Sequence, residues 1–363
     1  MEQPIDAPDE VRDDERIDAE RLRPLLERAL PGAAGPIAVL QFRKGHSNLT
    51  YLLTVAGQEV VLRRAPFGAK IKSAHDMGRE FAILSALQGL YAKAPRPIAF
   101  CEDESLIGAK FYLMERVRGV VLRSEAAPPG VTFSPQLLRA TSAALVDNLA
   151  DLHAVDAARP ALAALGHPQG YVGRQVSGWT DRYARAKTDD IPQIEAVAAW
   201  LARNMPKESG AAVIHNDYKY DNVMLDPVDL TRVVAVLDWE MATVGDPLMD
   251  LGTLLGYWAD PDDAEELRAR PYGPTFLPGS LSRQQLVERY AERSGRAAGP
   301  VLFYYVFALF KIAVIVQQIY KRYVEGHTKD PRFASLIHWV RVMGGQATRA
   351  LDKGRIHALG HGA

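Results

Sequence analysis

The hydrophobic period of this chain changes part-way along, and that change constrains the fold more than any other feature. After a first helical stretch over residues 17–30, stopped by Pro31-Gly32, three runs carry strand-like spacing: 37–42, 49–55 and 59–63. Ala56-Gly57-Gln58 reads as the turn between the last two. Helical spacing returns over 73–87, and 98–101 and 111–114 are two further apolar runs of strand length. Beyond Gly119 the spacing is mainly helical, over 136–153, 191–204, 247–258, 281–293, 301–323 and 332–351. A β-rich island at 211–214, 223–225 and 233–237 interrupts it. Strands first and helices afterwards predict an α+β protein of two lobes, a small β-rich N-lobe and a larger, mostly helical C-lobe, with a cleft between them. The expected boundaries are a disordered acidic tail over 1–20, the N-lobe over 21–117 and the C-lobe over 118–363.

A length of 363 residues suits two lobes with a large core. Lys plus Arg is 43 and Asp plus Glu is 44, a net charge of −1, which removes the basic footprint of a general nucleic-acid binder. Cys101 is the only cysteine, so neither an internal disulfide nor a Cys-based zinc site is expected, and a cytoplasmic location fits. The first twenty residues hold nine acids, two arginines and no apolar core, which reads as neither a secretory nor a mitochondrial leader. Residues 301–319 are nearly long enough to span a membrane. Lys311 sits at their centre, where a charge costs about 2.5–3.5 kcal/mol at mid-bilayer, so a buried helix and no membrane span are expected.

The segment VIHNDYKYDNVMLD, residues 213–226, places His215, Asp217 and Asn222 in one loop between two short apolar runs. A later apolar run ends in Asp238-Trp239-Glu240. Phosphoryl transfer needs such parts. One carboxylate accepts or orients the proton of an attacking hydroxyl, and an amide oxygen and a second carboxylate hold Mg²⁺ on nucleotide phosphates. Asp217 fits the first role, Asn222 and Asp238 the second. Asp and Asn also favour turns for backbone reasons alone. The preceding His and the downstream Asp at kinase-like distance favour the catalytic reading.

These residues, followed by Gly245-Asp246-Pro247-x2-Asp250-Leu251, resemble the aminoglycoside phosphotransferase superfamily, which shares the protein-kinase-like fold. The sequence is more similar still to the branch that includes the kinase-like domains fused to some acyl-CoA dehydrogenases. The stretches GHSNLTYLLT, VVLRRAP, GREFAILSAL, FYLMERVRG, GYVGRQVSGW and the catalytic loop carry that likeness, which runs from about residue 40 to about 325. The chain is too short to hold a dehydrogenase as well. The resemblance implies ATP and Mg²⁺ as cofactors, Asp217 as catalytic base, and Asn222 and Asp238 as metal ligands. It also implies that His215 braces the loop and that Asp250, on a buried helix, hydrogen-bonds the loop backbone.

Lys44-Gly45-His46-Ser47-Asn48 lies at a turn between two predicted strands, where the kinase-like fold covers the ATP phosphates. Of the Gly-x-Gly-x-x-Gly of protein kinases only Gly45 remains, with Ser47 and Asn48 taking part of its task. The third strand must present a cation, and this chain has Arg63 where protein kinases use Lys. Alternation puts Arg63 on the face of Val61 and Arg64 on the opposite face. Glu80, on the following helix, would pair with Arg63. The backbones of Glu115 and Val117 are the expected partners of adenine, in the hinge Met114-Glu115-Arg116-Val117.

On the acceptor side, residues 170–187 carry Arg174, Trp179 and Arg182, and residues 301–323 carry Lys311 and Arg322. A polycationic antibiotic would want carboxylates there. Cations and aromatics suit an anionic substrate with an apolar part, such as a hydroxyacyl thioester of coenzyme A. The leading reading is therefore a small-molecule kinase acting on a hydroxyl group. An aminoglycoside phosphotransferase and a nucleotide-binding pseudokinase are the alternatives. A protein kinase is disfavoured because no Asp-Phe-Gly and no Ala-Pro-Glu follows.

Overall fold

The computed structural model describes residues 6–32, 34–43, 48–67, 76–328 and 330–360. In the N-lobe, helix α1 (Arg23–Ala29) precedes strands β1 (Ile37–Gln41), β2 (Leu49–Val55) and β3 (Gln58–Arg64). Helix α2 (Met77–Leu87) then leads to β4 (Pro97–Cys101) and β5 (Phe111–Glu115). The five strands form one antiparallel sheet in the order β1-β2-β3-β5-β4. Strands β2 and β3 join through Ala56-Gly57, both at positive φ (48° and 78°), the two-residue turn whose twist matches that of the strands.

The sheet buries both faces, so its strands read as apolar runs rather than strict alternation. Tyr51, Leu53, Val55, Val60 and Leu62 pack with Leu22, Leu26 and Leu30 beside α1. Leu52, Val61, Tyr112 and Met114 join the core shared with α2 and the C-lobe. Helix α2 begins later than the sequence predicts, at Met77, where the Asp76 carboxylate accepts the Arg79 N–H at 3.0 Å.

The expected disordered tail is corrected from Asp6 onward. Asp9 and Gln41 exchange two backbone hydrogen bonds of 2.8 Å at the edge of β1, and the Tyr51 hydroxyl donates to the Glu15 carbonyl at 2.6 Å. The physical reason is twofold. An edge strand offers unpaired backbone groups. The acidic segment also meets cations: the Asp6 carboxylate takes both Nη atoms of Arg123 at 2.8 and 3.1 Å.

The C-lobe begins with α3 (Pro135–His153), α4 (Pro160–Ala163), α5 (Tyr171–Ala186) and α6 (Pro192–Arg203). Two small antiparallel ribbons follow: β6 (Ala212–Ile214) pairs with β9 (Thr243–Gly245), and β7 (Val223–Leu225) with β8 (Val233–Val236). Helices α7 (Pro247–Gly256), α8 (Glu265–Arg268), α9 (Arg283–Ser294), α10 (Val301–Val324) and α11 (Leu336–Lys353) complete it. Helix α10 is long and apolar enough to cross a membrane, and most of its apolar stretch is buried inside the lobe. It packs against α5, α6, α7 and α11. Its approach to α7 depends on glycine. A Cβ on Gly252 would sit 2.5 Å from the Tyr304 carbonyl oxygen, and one on Gly256 2.8 Å from the Ala308 Cβ.

Candidate active site

The loop between β6 and β7 holds His215, Asp217 and Asn222, and Asp250 from the first turn of α7 fixes its backbone. Asp250 Oδ2 accepts the His215 N–H at 2.6 Å, and Oδ1 accepts the Asn216 N–H at 2.7 Å. His153 from α3 approaches Oδ2 with Nε2 at 3.2 Å. This buried anion lets Asn216 take a left-handed φ of 64°, a conformation Asn tolerates better than most residues. The His215 ring is fully buried. Its Nε2 faces the Leu237 carbonyl at 2.8 Å, and Nδ1 accepts the Asp217 N–H at 3.3 Å. These partners assign the neutral tautomer with the proton on Nε2, and burial lowers the pKa of the ring accordingly.

Asp217 is held on both oxygens. Oδ1 accepts from the Tyr257 hydroxyl at 2.9 Å, and Oδ2 accepts from Asn222 Nδ2 at 2.8 Å and pairs with the Lys219 ammonium. Burial pushes this carboxyl up. Lys219 and Lys311 more than offset that, so it lies below the usual carboxylate range and is ionised at neutral pH.

Arg63 faces the cleft beside Val61. Its Nη2 donates to Asp238 Oδ1 at 2.7 Å, and its Nε lies 3.4 Å from Glu80 Oε2. Burial disfavours the guanidinium charge, but the Glu80 and Asp238 carboxylates on either side hold it cationic. Arg64 turns to the opposite face and donates to the carbonyls of Ile107 and Ala65 at 2.5 and 2.9 Å. Asp238 has a left-handed φ of 66° two residues past the end of β8, an uncommon state for a non-glycine residue.

A cavity of about 230 Å³ separates the lobes. Thr50, Val61 and Met114 line it from the N-lobe, and Met224 and Leu237 from the C-lobe. Glu115 and Val117 border it at the hinge, and the Val117 N–H makes no hydrogen bond among the described residues. Arg63, Glu80, Asp217, Asn222 and Asp238 share the same cavity. Among the described residues, Arg63 Nε and Glu80 Oε2 are buried there with no hydrogen bond beyond their own 3.4 Å ion pair.

This donor set fits a magnesium nucleotide. Among the described residues no group of three His, Cys, Asp or Glu side chains could hold a metal alone. One carboxylate and one amide oxygen suit an ion that takes its other ligands from phosphates and water. The slot between Val61 and Met224 is apolar enough for a flat base.

Other sequence-selected residues fall elsewhere. Gly45 and Ser47 lie outside the described residues. Asn48 donates from Nδ2 to Glu240 Oε2 at 2.7 Å, linking the N-lobe to the Asp238-Trp239-Glu240 turn. Arg174 is not in the cleft, because its guanidinium is taken up by the carbonyls of His167 and Gln169 just before its own helix. Arg322 is exposed in the last turns of α10, eleven residues and therefore roughly 16 Å along the axis from Lys311. Lys311 does reach the loop, but from beneath. It is buried, donates to the Asn216 carbonyl at 2.7 Å and lies 5.8 Å from the Trp179 ring centre. Arg182 stacks over Trp179 at 4.6 Å.

Sequence reasoning missed Lys219 and Tyr257. A signal for each was present. Lys219 follows Asp217 by two residues within the same loop, and Tyr257 follows Asp250 by seven, two helical turns, which puts both on one face.

Comparison with known proteins agrees with this geometry. The sequence model of the phosphotransferase enzyme family matches residues 38–283. The chain belongs to that family. Acyl-CoA dehydrogenase family member 11 of Gallus gallus is 36% identical over 329 residues, covering 88% of this chain and 41% of that protein. The chain thus spans about two fifths of the length of such relatives. Viomycin phosphotransferase of Streptomyces vinaceus is 25% identical over 75% of this chain and 93% of its own length. Among solved structures, a Ralstonia eutropha JMP134 protein classed with the aminoglycoside phosphotransferases superposes with a TM-score of 0.75 at 34% identity, covering 91% of this chain and 96% of that one. This member of the family therefore has the kinase-like bilobal fold.

The buried Lys311 yields a pH test in this chain. Burial pushes its ammonium down to about 8 from the ordinary 10.5, with the Asp217 and Asp250 carboxylates opposing. Between these values the unfolded chain binds more protons than the folded one, so this group's contribution to stability rises with pH. Lys311→Met removes that dependence. The stability of wild type minus variant should increase by up to about 3 kcal/mol between pH 8 and 10.5, read from urea denaturation at matched pH. A difference that stays flat would mean that the ammonium is not desolvated.

Proposed function

We propose that this chain is an ATP- and Mg²⁺-dependent small-molecule kinase that phosphorylates the hydroxyl of an anionic or neutral metabolite, with hydroxyacyl thioesters of coenzyme A as the acceptor class. A bound magnesium nucleotide supplies the transferable phosphoryl group and neutralises its charge. The chain's own residues do the rest. Asn222 and Asp238 hold the metal, Arg63 and Lys219 face the phosphates, and ionised Asp217 orients the acceptor hydroxyl and takes its proton.

The observation that carries the acceptor class is a second cavity of about 110 Å³ behind Tyr257, the residue that holds Asp217. Trp258, Tyr272, Ile312, Val316 and Trp339 line it, and among the described residues Arg270 is its only charged lining residue and no carboxylate lines it. Such a chamber suits an acyl chain. A polycation desolvated there would find no counter-charge. Relatives named for acyl-CoA dehydrogenases, matched over 88% of this chain, support the same class. The relation to viomycin phosphotransferase favours a cationic antibiotic as the second reading. A cytoplasmic location goes with the first.

The test is ADP release from Mg-ATP by the full chain, with 3-hydroxybutyryl-CoA, longer hydroxyacyl-CoAs, kanamycin, viomycin and choline compared side by side. Hydroxyacyl-CoAs should give the highest kcat/KM. A higher value for an antibiotic would reverse the proposal, and Mg-ATP binding without turnover on any acceptor would make the chain a pseudokinase.

A further inference from the structure

The stretch GREFAILSAL holds a residue with no task so far, Arg79, beside Glu80 in the first turn of α2. A cation there is disfavoured, because the N–H groups at a helix N-terminus favour negative charge. Among the described residues the Arg79 guanidinium makes no ion pair that would offset this, and it reaches only carbonyls. Its Nη2 leaves the N-lobe and donates to the Ala242 carbonyl at 2.8 Å and the Leu165 carbonyl at 3.1 Å, both in the C-lobe.

Ala242 closes the 3₁₀ turn Trp239–Met241 that follows Asp238, its N–H donating to the Trp239 carbonyl at 3.0 Å. Such a turn leaves an N–H at its start and a carbonyl at its end without an internal partner. Two adjacent residues of α2 supply both. Glu80 Oε1 accepts the Trp239 N–H at 3.2 Å, and Arg79 donates to the Ala242 carbonyl. Glu80 also pairs with Arg63, whose Nη2 holds Asp238 Oδ1 at 2.7 Å. The second carbonyl anchors this grip in the C-lobe. Leu165 also accepts from Thr243 Oγ1 at 3.0 Å, and a Cβ on Gly166 would lie 2.6 Å from the Val244 nitrogen. Asp238 itself, at φ 66°, is in a sparsely populated state that persists only where its surroundings enforce it. A turn gripped at both ends supplies that enforcement.

We infer that Arg79 is a positioning residue for Asp238: with Glu80 it clamps the turn after Asp238 to α2 and so presets that carboxylate for a magnesium nucleotide. The inference rests on the kinase reading of the cleft and, within it, on the metal role proposed for Asp238. It makes the first turn of α2 a fixed part of the metal site, bound to the C-lobe by two adjacent side chains of opposite charge.

Calorimetric titration of the full chain with ATP, in excess Mg²⁺ and in EDTA, tests it. Wild type should gain affinity from Mg²⁺. Arg79→Ala should bind metal-free ATP nearly as wild type does and lose about tenfold of that gain, the worth of one hydrogen bond from a charged group. Arg79→Lys, which keeps the charge and can still donate to one of the two carbonyls, should recover part of it and serves if the alanine variant folds poorly. In an Asp238→Ala background, Arg79→Ala should change the Mg²⁺ gain no further, because Arg79 acts through that carboxylate. Equal weakening of ATP with and without Mg²⁺ would make Arg79 a general prop of the N-lobe and overturn the inference. So would a wild-type Mg²⁺ gain accompanied only by a lower urea midpoint. A wild type that binds ATP without any Mg²⁺ gain would remove the metal role of Asp238, and one that binds no ATP would bring down the kinase reading; the inference falls with either.

Discussion

Asp217→Asn is expected to bind Mg-ATP with near wild-type affinity and to lose phosphoryl transfer by about a thousandfold, within the ~10²–10⁴ that a positioned general base contributes. The isosteric amide keeps the volume between Tyr257, Lys219 and Asn222. It replaces one oxygen by a donor, which can face the Tyr257 hydroxyl because that oxygen can also accept. The loop therefore keeps its shape, while the negative charge proposed to receive the acceptor proton is gone. Single-turnover transfer and calorimetric Mg-ATP titration separate the two effects. A variant that retains a tenth or more of wild-type transfer would remove Asp217 from this role.

Asp250→Ala is expected to destabilise the folded chain by about 4 kcal/mol and to abolish transfer with it. The substitution leaves the backbone N–H groups of His215 and Asn216 and the His153 imidazole without their acceptor, all of them buried. The Asn216 backbone, at φ 64°, then loses the contact that holds it in a sparsely populated state. The urea midpoint at constant slope reads the loss. A shift worth less than 1 kcal/mol would show that the loop holds its conformation without the anion.

The acidic segment after residue 5 shows why local rules misjudge such stretches. Its composition lacks the apolar residues that order a chain by themselves, which is the usual signature of disorder. Its partners, the edge of β1 and the cations Arg116 and Arg123, lie 30 to 120 residues away. Helix α5 was obscured differently. Gly173 and Gly178 lower helix propensity, although its buried residues Tyr171, Val172, Val176, Trp179 and Tyr183 recur at helical spacing along one face, which α10 covers. Strand β9, three residues long, is too short to show any period and exists because β6 pairs with it.

By itself the sequence determined the order of strands and helices, the single loop that holds His215, Asp217 and Asn222, and the face of β3 that carries Arg63. These depend on spacing along the chain: residues five apart in one loop are neighbours however the lobes pack, and alternation in a strand sets a side chain's face. Only the tertiary structure decided what surrounds Asp217. Tyr257 comes from the end of α7, Lys311 rises from α10 beneath the loop, Asp6 enters from the other end of the chain, and Arg174 and Arg322 stay outside. A long cationic side chain carries no local mark of where its charge ends. Burial, the nearest carbonyl and the path of the supporting helix settle that, and all three are properties of the packed lobes.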